Sequence, residues 1–155
     1  MAGDTLRDAF RTELAAVIAA ASPAIAWTVR DLHNTGTAAT LPAANAATSA
    51  QGWFEIEFPG GAEEQYTFGA GASDLHRETG QVTVRAVTRL GAGTTVRDTA
   101  ERYVEQLRTA FRKHRFMAGS TKVFVDAVQP MGGGFDEGGA WVESFAIGYR
   151  RYNVG

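Results

Sequence analysis

The sequence predicts an α+β fold: a mostly antiparallel sheet of about five to six strands packed against two helices, with a protruding aromatic hairpin. Two segments repeat their apolar residues every three or four positions, the period of a helix with one buried face. The other periodic segments alternate apolar and polar residues, the period of a strand with one buried face. The order reads α-β-β-β-β-α-β-β. Strands grouped around so few helices imply antiparallel neighbours, because each parallel pair needs a crossover connection.

Asp4 or Thr5 can cap the first helix, and Asp8 favours its positive end. Leu6, Phe10, Leu14, Val17, Ile18 and Ala21 then form one apolar face. Ser22-Pro23 ends the helix, since proline cannot continue the backbone ladder. Ile25 to Val29 reads as a short strand. Residues 34–50 are dominated by Ala, Thr, Asn and Ser, too few bulky apolar groups to order them, and read as a flexible loop or arm. Next comes the hairpin: Phe54, Ile56 and Phe58 share one face, Trp53, Glu55 and Glu57 the other. Pro59-Gly60-Gly61 turns the chain and Gln65 to Phe68 return. After the loop at Gly69 to Ala72, Gln81 to Val87 alternates again, with Val82, Val84 and Ala86 on one side. The second helix spans about Thr95 to Lys113, with the stripe Val96, Ala100, Tyr103, Val104, Leu107 and Phe111. Two strands finish the chain, Thr121 to Val128 and Trp141 to Tyr152, joined by a Gly-rich connection from Met131 to Gly139.

The composition is that of one ordinary domain, 1–155: the apolar share is 45% and the charged share 21%. With no cysteine there is neither a disulfide framework nor a thiolate metal site. Leu14 to Trp27 is not a secretory signal, because Asp4, Asp8 and Glu13 stand where a basic segment belongs. No run approaches the ~20 apolar residues of a membrane span. The net charge of −2 argues against general affinity for nucleic acid, yet the charge is unevenly spread. Residues 1–76 carry 3 Arg against 9 acids, residues 77–115 carry 9 bases against 4, and residues 116–155 carry 3 against 4.

Reactive constellations do not emerge. His33, His76 and His114 are far apart and lack ligand spacing. The GxG starts at Gly69, Gly91 and Gly132 lack the third glycine of a dinucleotide loop, and neither GxxxxGK[ST] nor GxSxG occurs. Glu55 and Glu57 project to one side of a strand, about 7 Å apart by strand rise. With Glu63 and Glu64 across the turn they form an acidic, wet cluster, the kind that also discourages unwanted edge pairing. The second helix carries Arg97, Arg102, Arg108, Arg112, Lys113 and Arg115, mostly in its last turns, where they complement the helix dipole. The chain reads as a binding or assembly protein, not an enzyme, with no cofactor or metal.

The assembled order resembles the tail terminator family of long-tailed bacteriophages and gene transfer agents. Ile25-Ala26-Trp27 with Asn34 and Pro42 is similar to the segment that precedes an aromatic strand in these proteins, and Trp53-Phe54-Glu55-Ile56 supplies that strand. Further along, Arg77, Gly80, Val82 and Val84 match the start of the family's next strand. Gly91-x-Gly93 leads into the second helix, which closes with Phe111 and Phe116. Gly139-Ala140-Trp141 opens a last strand ending at Tyr149 and Tyr152. The Ala/Thr-rich loop at 35–50 departs from the pattern in being longer and less proline-rich.

The resemblance implies a mechanical role. Such proteins form a ring, typically hexameric, on the last ring of the tail tube, stop its polymerisation and present a surface to the head-completion and neck proteins. DNA passes through the channel without sequence-specific binding. The place of work is the virion's tail–neck junction, after assembly in the host cytoplasm, with no membrane involved. On this reading Glu55, Glu57, Glu63 and Glu64 face the channel or the tube, while Arg102, Arg108 and Arg112 meet an acidic surface of a neighbouring copy. The nearest rival is another neck component, a head-closure stopper or a tail tube protein. A nucleic-acid-binding or small-molecule-binding domain is the alternative of a different class.

Overall fold

The structure, a computed structural model, describes residues 2–30, 52–58, 61–65, 75–88, 93–135 and 140–154. The loop expected at 34–50, the return strand beyond Gln65 and the loop at Gly69 to Ala72 lie outside the described residues. In chain order the elements are helix α1 (Ala2–Ala19), β1 (Val29–Arg30), β2 (Gly52–Glu57), β3 (Gly61–Gln65), β4 (Leu75–Thr88), helix α2 (Thr94–Phe111), β5 (Arg115–Ala118), β6 (Thr121–Phe135) and β7 (Trp141–Val154). The class is α+β: among the described residues two helices lie against one sheet, in which every pair is antiparallel except β1 with β2.

The sheet runs β1-β2-β4-β7-β6-β5, and β3 also pairs with β4. Its axis is the β4–β7 ladder, from Leu75 opposite Val154 to Val87 opposite Val142. Every strand so paired puts alternate residues on the helical side. Val82, Val84 and Ala86 of β4 and Phe145, Ile147 and Tyr149 of β7 are buried there. Phe54 and Ile56 of β2 extend that layer, opposite Ala86 and Val84.

Both helices lay their apolar stripes on this layer. Helix α2 buries Ala100, Tyr103, Val104, Leu107 and Phe111, five of the six stripe residues that its period marks, and Val96 packs partly buried beside them. Helix α1 buries Leu6, Phe10 and Leu14. Phe10 is the hub of its end of the core: its ring meets Phe116 edge-on at 4.9 Å, Tyr149 at 5.3 Å and Phe58 at 6.3 Å. At the other end Trp27 packs against Tyr103 at 5.2 Å and Phe54 at 5.9 Å. The Tyr103 hydroxyl accepts the Ala26 backbone N–H at 3.3 Å, which ties the segment after α1 to the top of α2.

Three expectations need correction. The segments expected to pair with each other as a hairpin do not: β2 and β3 both pair with β4, one after the other along the same edge. At 14 residues β4 is long enough to receive both, and it begins at Leu75, well before the expected Gln81. The expected connection from Met131 onward is strand as far as Phe135, because pairing to β7 uses backbone groups that Gly132, Gly133 and Gly134 possess like any residue. Finally, Arg115–Ala118 is a strand, β5, paired with the start of β6. Two register shifts in β6, at Val125/Ala127 and Pro130/Gly132, absorb its irregularity, the second beside a proline that has no N–H to give the ladder.

A buried ion pair closes one end of the core. Arg151 of β7 and Glu78 of β4 stand opposite in register, and the Arg151 Nε donates to the Glu78 carboxylate. Tyr149 lies one position inward on the same face. Burial pushes its hydroxyl above the ordinary 10.0, the Glu78 carboxylate adds to the rise, and the Arg151 guanidinium opposes it. The folded state thus holds this proton more tightly than the unfolded chain. Its contribution to stability is complete below the ordinary phenol range and is lost as the pH rises through the raised folded value. Stability should therefore fall between about pH 9 and about pH 11, and Tyr149→Phe should flatten that fall, as read from urea midpoints at the two pH values.

Close approach also fixes one glycine. A Cβ on Gly52 would sit 2.5 Å from the Trp27 ring and 2.5 Å from the Val87 carbonyl oxygen, whereas one on Gly134 meets nothing within 4 Å. Gly52→Ala should lower stability by about 1–3 kcal/mol, the range for overpacking. Gly134→Ala should stay within about 0.5 kcal/mol of the wild type in the same urea titration.

Candidate functional site

The outward face of β2 assembles first. Phe54 and Ile56 turn inward, so period-2 geometry sends Trp53, Glu55 and Glu57 to the face away from the helices. Arg85 of β4 stands opposite Glu55 in register. Its Nη1 lies 2.9 Å from Glu57 Oε1 and 3.9 Å from Glu55 Oε2. The Trp53 indole N–H donates to Glu55 Oε1 at 3.0 Å. Both carboxylates are thus engaged by one guanidinium and one indole. This is a solvent-facing ion-pair network, with the Glu57 side chain 52% exposed.

Glu63 and Glu64 do not face this pair across a turn. They stand opposite Glu78 and Arg77, while Glu57 stands opposite Thr83. By strand rise, the positions of Glu57 and Glu63 are about 17 Å apart along β4. The four glutamates follow one another down a single edge. Nothing further is described of the β3 side chains.

The three arginines expected at an interface divide in the same way: Arg102 and Arg108 lie in α2 and Arg112 directly after it. Arg108 donates to Glu105 at 2.6 Å, and Arg112 lies 3.8 Å from the other oxygen of that carboxylate. Arg102 is exposed, its guanidinium 5.4 Å from the Tyr103 ring centre. Arg102 and Arg108 line a groove of about 530 Å³ between α2 and the β6–β7 pair, but Asp98, Glu101, Glu105 and Glu143 line it too, so its walls are of mixed sign. A second groove, about 740 Å³, lies between the end of α1 and α2 and is mostly apolar, lined by Val17, Ala21, Ile25, Leu107 and Ala110.

These surfaces can bind, and nothing in them converges on a reacting atom. Among the described residues no three or more His, Asp or Glu come together to hold a metal ion. His114 meets the Glu13 carboxylate of α1 and packs between Phe111 and Phe116, at 5.7 and 6.1 Å, fastening the two helices to each other. His76 lies in β4, opposite Gln65 and Asn153, and His33 lies outside the described residues. No described helix is long and apolar enough to cross a membrane.

Sequence reading overlooked two features. One is Arg85, which lies 28 positions from Glu57 and is joined to it only by strand register. The other is the basic end of the sheet: Lys113 and Arg115, expected at the end of the second helix, are exposed together with Lys122 around β5, with Met117 between them, 53% exposed. The run from Lys113 to Val125 contains no acid, a signal visible in composition once β5 is recognised as a strand.

Glu105 holds two arginines, so its removal should unmask them. Glu105→Gln should change stability by less than about 1 kcal/mol, as expected for exposed pairs. It should also raise the salt concentration needed to elute the protein from a heparin column, since two guanidinium groups gain freedom to meet sulfate.

No family model fits the chain, and no curated protein matches it.

Proposed function

We propose that this chain is a structural assembly protein of a long-tailed phage or gene transfer agent: it forms a ring of six copies on the end of the tail tube, stops tube polymerisation and offers the surface that joins tail to head. The observation that carries the reading is the open sheet. It ends at β5 on one side and at β1 and β3 on the other, and among the described residues none of these strands has a further partner on its outer side. A closed ring needs two unlike patches per copy that meet head to tail, and two unlike sheet edges supply them. The resemblance in residues 25–152 points the same way.

The protein works without catalysis or cofactor, by shape and charge. The face of the sheet away from the helices carries Glu55, Glu57 and Arg85 and turns to the channel or the tube. Carboxylates there let DNA slide, because phosphate is bound by lysine and arginine and two of these acids already engage the one arginine beside them. Its partners are further copies of itself, the tube protein and a head-completion protein, at the tail–neck junction of the virion.

The test is to add the purified protein to growing tail tubes and follow them by electron microscopy together with solution mass. A terminator caps one end, fixes the length and sediments as a ring on the tube. Tubes that grow past the added protein overturn the reading. A protein that copolymerises along the tube, or binds only capsid portals, assigns the chain to the rival tube or stopper roles. A salt-dependent shift of free DNA by the isolated protein supports the nucleic-acid reading in its place.

A further inference from the structure

Two of the outer strands of the sheet, β5 and β3, are opposite in the charge they carry. At one end β5 is flanked by Lys113, Arg115 and Lys122, all exposed, with no acid between Lys113 and Val125. Arg112, 53% exposed in its side chain, extends this patch from the end of α2. At the other end β3 reads Gly61-Ala62-Glu63-Glu64-Gln65, with two acids and no base, and its only partner among the described residues is β4. The lengths agree, four residues in β5 against five in β3. On β5, Phe116 and Ala118 are buried in the core, whereas Met117 is left 53% exposed.

We infer that β5 of one copy docks along β3 of a second copy, so that the basic edge at Lys113, Arg115 and Lys122 meets the strand that carries Glu63 and Glu64 and the sheet continues from copy to copy. This rests on the ring reading above and names its joint. The occupant is another copy of this chain because both halves of the contact are present in each molecule, on opposite ends of one sheet. Like-with-like pairing is disfavoured: two β5 edges would oppose base to base, and two β3 edges acid to acid. Only the unlike pairing matches charge, and unlike pairing is what propagates around a ring. The arrangement also places the arginine contact differently from the sequence expectation. Arg108 and Arg112 share Glu105, and the exposed cations Lys113, Arg115 and Lys122 on and beside β5 take their place at the joint.

The experiment is charge reversal followed by repair, read by sedimentation of the protein with purified tail tubes at physiological salt. E63K/E64K and R115E/K122E should each cut the ring-bound fraction at least tenfold. The chain carrying all four substitutions restores complementarity and should recover most of that loss. A urea titration of every variant establishes that each is folded. If the two double variants assemble like the wild type, or if the folded quadruple variant recovers nothing, the β5–β3 joint is wrong while the ring reading stands. If the wild type itself forms no ring on tubes, the ring reading falls and takes this joint with it. Because the chain has no cysteine, a direct check is available: M117C crosslinking to itself within the assembly would mark a like-edge contact and overturn the proposal. Crosslinking of M117C to A62C on a different copy supports it.

Discussion

The long antiparallel ladder between β4 and β7 is the constraint from which the rest of the molecule follows. These strands are the two central ones, paired from Leu75 and Val154 to Val87 and Val142. β2 and β3 are held by the outer edge of one, β6 by the outer edge of the other, and β5 through β6. The inward residues of the same ladder, Val82, Val84, Phe145, Ile147 and Tyr149, are the floor on which both helices rest. A slip of one residue would turn this floor to solvent and bring the Arg85 and Ser144 row under the helices, so the burial pattern and the pairing enforce each other.

That dependence explains which parts were legible in the sequence. Helix α2 was, because Ala100, Tyr103, Val104, Leu107 and Phe111 repeat with a helical period that one flat surface can satisfy. Strand β7 and the second half of β4 were, because their apolar residues alternate. The first half of β4 was not legible from alternation, although the resemblance put a strand start at Arg77: Arg77, Glu78, Thr79 and Gly80 carry no apolar alternation, and they are held extended by partners on both sides, β3 and β7. Gly132 to Gly134 misled for a related reason. Glycine has low strand propensity, but a ladder fixed from outside needs only amide and carbonyl groups. Strand β5 was hidden by brevity, four residues directly after a helix end.

The surfaces were legible to a lesser degree. Alternation alone placed Glu55 and Glu57 on one face, and the structure has them there. Their partner Arg85 depends on which residues of β4 lie opposite β2, and register between strands leaves no periodic trace in a single sequence. The same holds for Glu105 in reverse. Its link to Arg108 follows from helical spacing, yet its effect, to neutralise the arginines expected to face a neighbour, becomes plain only when the second oxygen is found near Arg112. Composition indicated a basic middle, but the topology put its uncovered part at the far end of the sheet.

The Glu78–Arg151 pair constrains how this chain can change over generations. Both groups are buried or nearly so, with Arg151 4% exposed, and each holds the other out of water. Losing either one first strands an uncompensated charge in the protein, a larger penalty than replacing both with apolar residues of similar bulk. A lineage can therefore exchange the pair for a greasy couple only by two nearly simultaneous steps, and the intermediate sequence is the barrier. Such a site drifts as a unit or not at all.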